Sequence, residues 1–152
     1  MTLQGIYAPG LLVAQEQLLV VFDGECGLCN RAVRWLLRRD RDDRLRFAPS
    51  THPALASVLT RSALAPLTAQ TILVLRHPER ADAEFLYRSD AILACLRLLP
   101  EPWPMLAALA GYVPRAVRDA GYRVIARWRY RIWGRYASCP IPTAEERKRF
   151  LD

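Results

Sequence analysis

The sequence predicts an α/β domain, a mixed sheet covered by helices in the order β-α-β-α-β-β-α. Three observations lead there. An apolar run, Leu18 to Phe22, ends at the turn pair Asp23-Gly24, and Ala32, Val33, Leu36 and Leu37 follow at helical spacing. Leu45-Arg46-Phe47-Ala48 then alternates and stops at Pro49, a second strand reached through a helix and therefore parallel to the first. Thr71 to Leu75 is the clearest β-type run, and Glu84 to Arg88 returns after a turn holding Pro78, which makes an antiparallel hairpin.

Taken in order, residues 1–14 carry Gly5, Pro9 and Gly10 and read as an irregular lead-in. The first helix runs from Cys29 to about Asp40, and Arg41 to Arg44 is a charged connector. Ser50 or Thr51 is placed to cap a short helix with Pro53 in its first turn and Leu55, Val58 and Leu59 on one face. Ser89-Asp90 is placed to cap the next helix, whose apolar positions are Ile92, Leu93, Leu96 and Leu99. Pro100, Pro102 and Pro104 end it and mark a boundary. Residues 1–100 thus read as the core domain, and 101–152 as a basic helical extension packed on it in a single compact unit.

Composition narrows the class. With 152 residues, 52% of them apolar and 24% charged, the chain can bury a core as a soluble globular protein. Four unevenly spaced cysteines do not make a disulfide scaffold. No basic residue precedes Arg31, and Gln15-Glu16-Gln17 interrupts the apolar stretch there, so a secretory signal is not legible. No run is long enough to span a bilayer. The expectation is a cytoplasmic protein, a setting in which a CxxC is more often catalytic or metal-bound than structural.

That CxxC, Cys26-Gly27-Leu28-Cys29, sits where the first strand hands over to the first helix. Unpaired N–H groups and the helix dipole favour negative charge at this end, so Cys26 should ionise more readily than a free thiol. The thiolate is the nucleophile in disulfide exchange, and Cys29, one turn on, is placed to resolve the mixed disulfide. Two alternatives stand beside this redox reading. The pair could be half of a zinc site, although Cys95, Cys139, His52 and His77 are singly placed and offer no matching second pair. It could also be two inert buried thiols.

The segment Asp23-Gly24-Glu25-Cys26-Gly27-Leu28-Cys29 resembles the D-G-x-C-x-x-C motif of the thiol-disulfide oxidoreductase DCC family. Three further stretches, Arg34 to Pro49, Tyr87 to Ala91 and Arg127 to Pro142, are also similar to that family. The resemblance runs from about Val20 onward and implies a thioredoxin-like fold and dithiol–disulfide activity. One departure from thioredoxin proper is that Gln70, not a cis-proline, precedes the third strand, and the nearest proline is Pro66. That proline shields the pair from metal in thioredoxins, so the zinc reading stays open.

The family motif gives Asp23 a role in taking the proton from Cys29 during resolution, with Gly24 beside it as an accessory. A carboxylate there also opposes the Cys26 thiolate, and an Asp-Gly pair is in any case a common turn. Ser89 and Asp90 read first as a helix cap and join the site only through the resemblance. Cys139 is a candidate third redox thiol, and Cys95, in an apolar helical face, reads as core.

The charge of +7 is concentrated: Tyr112 to Arg135 holds seven arginines against one acid, Asp119. Val117, Gly121, Val124, Trp128 and Ile132 share one helical face there, with Arg123, Arg127 and Arg131 as a neighbouring stripe. The leading expectation is that this apolar face docks on the core. An acidic protein or an anionic membrane surface is the second reading, and nucleic acid the third. The function expected is thiol–disulfide exchange on an unidentified disulfide or thiol substrate, with no bound cofactor but with an external reductant. The competing class is a non-enzymatic binding module with a structural or zinc-bound CxxC, or a binder of anionic surfaces through the arginine-rich helix.

Overall fold

The computed structural model describes residues 17–61, 71–78, 83–137 and 142–151. The lead-in 1–14, Pro66, Gln70 and Cys139 lie outside the described residues. Strand β1 (Leu18–Phe22) is central in a four-stranded sheet of order β2-β1-β3-β4. It pairs parallel with β2 (Leu45–Pro49) and antiparallel with β3 (Leu73–Arg76), placing Val20 opposite both Phe47 and Val74. Strand β4 (Glu84–Tyr87) pairs antiparallel with β3. The parallel first pair and the hairpin are as the sequence predicts.

All five residues of β1 are buried because both faces of the sheet are covered. Strand periodicity sends Leu18, Val20 and Phe22 to one face, against Val33 and Leu36 of α1 (Gly27–Arg39) and Ala91, Ala94 and Cys95 of α3 (Ser89–Arg97). Leu19 and Val21 go to the other, against Leu55 and Leu59 of α2 (Pro53–Arg61). At the start of α2 the His52 ring accepts the Ala54 N–H at 3.2 Å, where the sequence pointed to Ser50 or Thr51. Strand β3 starts two residues later than expected. The Ile72 N–H donates to the Tyr122 hydroxyl at 3.0 Å, so the chain here is held by a side chain from beyond the sheet.

Beyond the proline cluster lies a helix not foreseen, α4 (Trp103–Gly111). Pro104 sits in its first turn, where no N–H is needed, so the prolines begin one helix as well as end another. Helix α5 (Arg115–Trp133) follows, and then a single capped turn, α6 (Ala144–Arg147). The last residues return to the sheet. Phe47 donates its N–H to Arg149 O and accepts the Leu151 N–H, both at 2.9 Å, which covers the open edge of β2. Arg149 Nη1 lies 2.7 Å from the buried Asp40 carboxylate, tying this return to the end of α1.

Helix α5 is turned differently from the expectation. Val117, Val124 and Ile132 are 60%, 60% and 63% exposed, while Asp119 and Arg129 are buried. The face that meets the core is polar, and the apolar stripe points outward.

Candidate functional site

The loop from Asp23 to Cys26 is wound by its own backbone and by Asp23. Asp23 O accepts the Cys26 N–H at 3.2 Å, and Asp23 Oδ1 accepts the Glu25 N–H at 3.0 Å. This delivers Cys26 as the N-cap of α1, with extended dihedrals and its sulfur turned back over the first turn. Cys26 Sγ accepts the Cys29 N–H at 3.3 Å. Asn30 locks the turn from below, its Nδ2 donating to Gly24 O at 2.7 Å and Cys26 O at 2.9 Å. Cys26, Cys29 and Cys95 are all free thiols.

Cys26 is lowered to about 6, first by the hydrogen bond from the Cys29 thiol, against the penalty of burial. The Cys29 and Leu28 N–H groups and the Arg129 charge add to the lowering. The direction is the one expected from the helix start, but the neighbouring thiol contributes most. Cys29 is raised well above an ordinary thiol by its hydrogen bond to Cys26, by burial and by the charge on its neighbour. The pair is thus split into a thiolate and a proton-holding thiol. Burial pushes Cys95 up to about 12, which fits a core residue.

The second half of the site comes from α5 and the chain after it. Tyr130 donates its hydroxyl to Asp23 Oδ2, and Arg129 Nη2 lies 3.6 Å from the same oxygen and donates to the Tyr130 hydroxyl at 3.1 Å. Asp23 therefore connects the end of β1 to α5. Burial and the hydrogen bond to Asp23 raise Tyr130 above its usual value. Sequence reasoning found Asp23 but missed Arg129 and Tyr130, which sit more than one hundred residues away. Their signal lay in the family-like stretch Arg127 to Pro142, in which Cys139 was the only residue given a place at the dithiol.

Residues 133–136 then close over the cysteines. Gly27 N–H donates to Gly134 O at 3.2 Å, Tyr136 N–H donates to Glu25 O at 2.7 Å, and Cys26 bridges Arg135 in antiparallel fashion. A Cβ on Gly27 would fall 2.2 Å from the Trp133 carbonyl oxygen, so only glycine admits this approach. The Arg135 guanidinium pins the segment to Glu25, Nη2 to Oε2 at 2.7 Å. As a result Cys26 is fully buried and Cys29 is 6% exposed. Beside them lies an apolar cavity of about 390 Å³, lined by Leu28, Trp35, Ile72, Ile92, Leu96 and Trp133 among others.

Ser89 and Asp90 are drawn to α5. Ser89 donates its N–H and its hydroxyl to Asp119 Oδ1, and Asp90 pairs with Arg115 at 3.0 Å and Arg118 at 3.1 Å. Arg88, not Ser89, occupies the N-cap position of α3, and no side chain caps it. Neither residue has a described contact with the cysteine pair. Among the described residues no group of three or more His, Cys, Asp or Glu side chains is gathered to hold a metal.

A parallel βαβ unit joined to a ββα unit, with a dithiol at the first helix start, defines the thioredoxin-like class. Within it, the chain belongs to the DCC1-like thiol-disulfide oxidoreductase family, whose sequence profile matches residues 20–135. It is 32% identical to the uncharacterized protein YuxK of Bacillus subtilis (strain 168), over 88% of this chain and 93% of that one. It is 31% identical to the DCC family protein At1g52590, chloroplastic, of Arabidopsis thaliana, over 81% of this chain and 69% of that one. No solved structure matches significantly.

Proposed function

We propose that this protein is a thiol–disulfide oxidoreductase that works through Cys26 and Cys29. The observation that carries the reading is Cys26 at the N-cap of α1, its sulfur accepting the Cys29 N–H with Arg129 behind it. The Cys26 thiolate attacks one sulfur of a substrate disulfide. A Cys26–substrate bond forms, the substrate S–S bond breaks, and the other substrate sulfur leaves as a thiolate that takes up a proton. The charge on Cys26 is then gone, which removes the main reason for Cys29 to hold its proton. Cys29 gives it up to the Asp23 carboxylate, which the Tyr130 hydroxyl holds by its Oδ2, and attacks Cys26 Sγ. The substrate is released as a dithiol and the pair is left as a disulfide, which an external dithiol reductant returns to the starting state. In a reducing compartment such as the cytoplasm the resting form is the dithiol.

Burial of both sulfurs adds a step. Residues 133–136 swing away from Gly27 before a substrate disulfide can reach Cys26, and an apolar part of the substrate is received in the cavity beside Leu28. The test is a titration in thiol buffers, with differential alkylation of Cys26 and Cys29 at each potential. Joint, reversible conversion within the range of known oxidoreductases supports the reading. Thiols that stay reduced throughout, or that react only after a chelator is added, overturn it.

A further inference from the structure

Among the described residues, every exposed large hydrophobic side chain lies between Met105 and Tyr136. Met105, Leu106 and Leu109 of α4, Tyr112 and Val113 of the link, and Val117, Val124, Ile125, Trp128 and Ile132 of α5 are all 40% exposed or more, Tyr112 reaching 87%. The core-side residues 17–100 contribute none among those described. Isolated exposed apolar residues are ordinary, but a run concentrated on two consecutive helices marks an interaction surface.

The charges around this surface identify its partner. Arg115, Arg118 and Arg129 are paired with Asp90, Asp119 and Asp23. Arg123, Arg127 and Arg131 are exposed, form no ion pair among the described residues, and line one flank of the apolar stripe at one-turn intervals. Arg131 also stacks over the Trp128 ring at 5.3 Å. A second copy of the chain would bring like charges together along such a stripe. An apolar ridge with an indole and flanking guanidinium groups fits a lipid boundary instead: apolar side chains enter between acyl chains, and arginines meet phosphate oxygens. Among the described residues no helix is long and apolar enough to cross a membrane, so the helix would lie on the surface.

We propose that the outward face of α4 and α5 binds the surface of an anionic lipid bilayer. The dithiol would then be held beside the membrane, at the end of the same α5 that supplies Arg129, Tyr130 and the covering segment.

The experiment is flotation of the full chain with vesicles of phosphatidylcholine alone, or with about one third phosphatidylserine, at low and high salt. The expected result is flotation with the anionic vesicles only, lost at high salt. The Val124→Asp/Ile132→Asp double variant should lose it. The Arg123→Gln/Arg127→Gln/Arg131→Gln variant should bind on the order of 100-fold more weakly, from about one kcal/mol per arginine near a charged surface. The positions are exposed, so folding and the Cys26–Cys29 titration should be unchanged, which separates this test from that of the redox reading. The proposal is overturned if the chain fails to float, or if the double variant floats as well as the parent. It is likewise overturned if the chain, without floating, forms a dimer that the Asp variants dissolve, or binds an acidic polypeptide or nucleic acid.

Discussion

Helices α1 and α5 both build the dithiol site, and they are put in place by opposite means. Helix α1 is amphipathic in the usual sense, with Val33 and Leu36 buried and Arg31, Arg34 and Arg38 exposed. Apolar burial fixes it, and the turn before it presents Cys26. Helix α5 meets the core through Asp119, Tyr122, Arg129 and Tyr130, each bonded to a group on another element, and leaves its apolar stripe outside. A helix held by apolar contact tolerates change where it meets water. A helix held by a few polar bonds depends on each of them, because a buried donor or acceptor that loses its partner is costly.

The contrast can be broken at several points. The largest effect is expected from Cys26→Ser, which should reduce disulfide exchange to background. Cys29→Ser should instead leave a trapped mixed disulfide, visible as a mass increase on the intact chain. Next comes Arg129→Met, which leaves the Asp23 carboxylate without its buried cation. Stability should fall by about 3 kcal/mol in denaturant unfolding, and the Cys26 pKa should rise.

The Cys26 pKa has a direct readout in the alkylation rate. With Cys26 lowered to about 6, the fraction of thiolate, and so the alkylation rate, should climb as pH rises through 6 and level off above it. An ordinary thiol would still be climbing near pH 8.5. In Arg129→Met the whole curve should move to higher pH.

A smaller effect is expected from Gly27→Ala. The new methyl group meets the Trp133 carbonyl, so residues 133–136 must give way. Stability should drop by roughly 1–3 kcal/mol, as for overpacking elsewhere, while Cys26 should be alkylated faster. A slower rate would show that the segment assists attack and does not cover the sulfur. Tyr122→Phe removes the acceptor for the Ile72 N–H and should cost about 1–2 kcal/mol with no change in the alkylation curve. Smallest of all, Arg135→Ala breaks an exposed pair with Glu25 and should leave stability unchanged within error, with a modest gain in Cys26 alkylation.

The sequence by itself determined the sheet and the local half of the site. Strand periodicity in Leu18 to Phe22, helical periodicity after Cys29 and the hairpin pattern from Thr71 to Arg88 are short-range signals, and each is written in neighbouring residues. So is the sulfur's place at a helix start, because Asp23, Cys26 and Cys29 lie within seven residues. Tertiary structure decided the rest. The pairing of Asp23 with Tyr130 and Arg129 joins residues over one hundred positions apart, and no local pattern announces it. The same holds for the closure of 133–136 over Gly27 and for the recruitment of Ser89 and Asp90 to α5. The orientation of α5 is the sharpest case. Periodicity shows that Val117, Val124 and Ile132 share a face, but not which way that face turns. The direction was set by where its polar residues found partners: Asp119 at Ser89, Tyr122 at Ile72 and Tyr130 at Asp23. Satisfying those buried polar groups outweighed covering a stripe of apolar side chains.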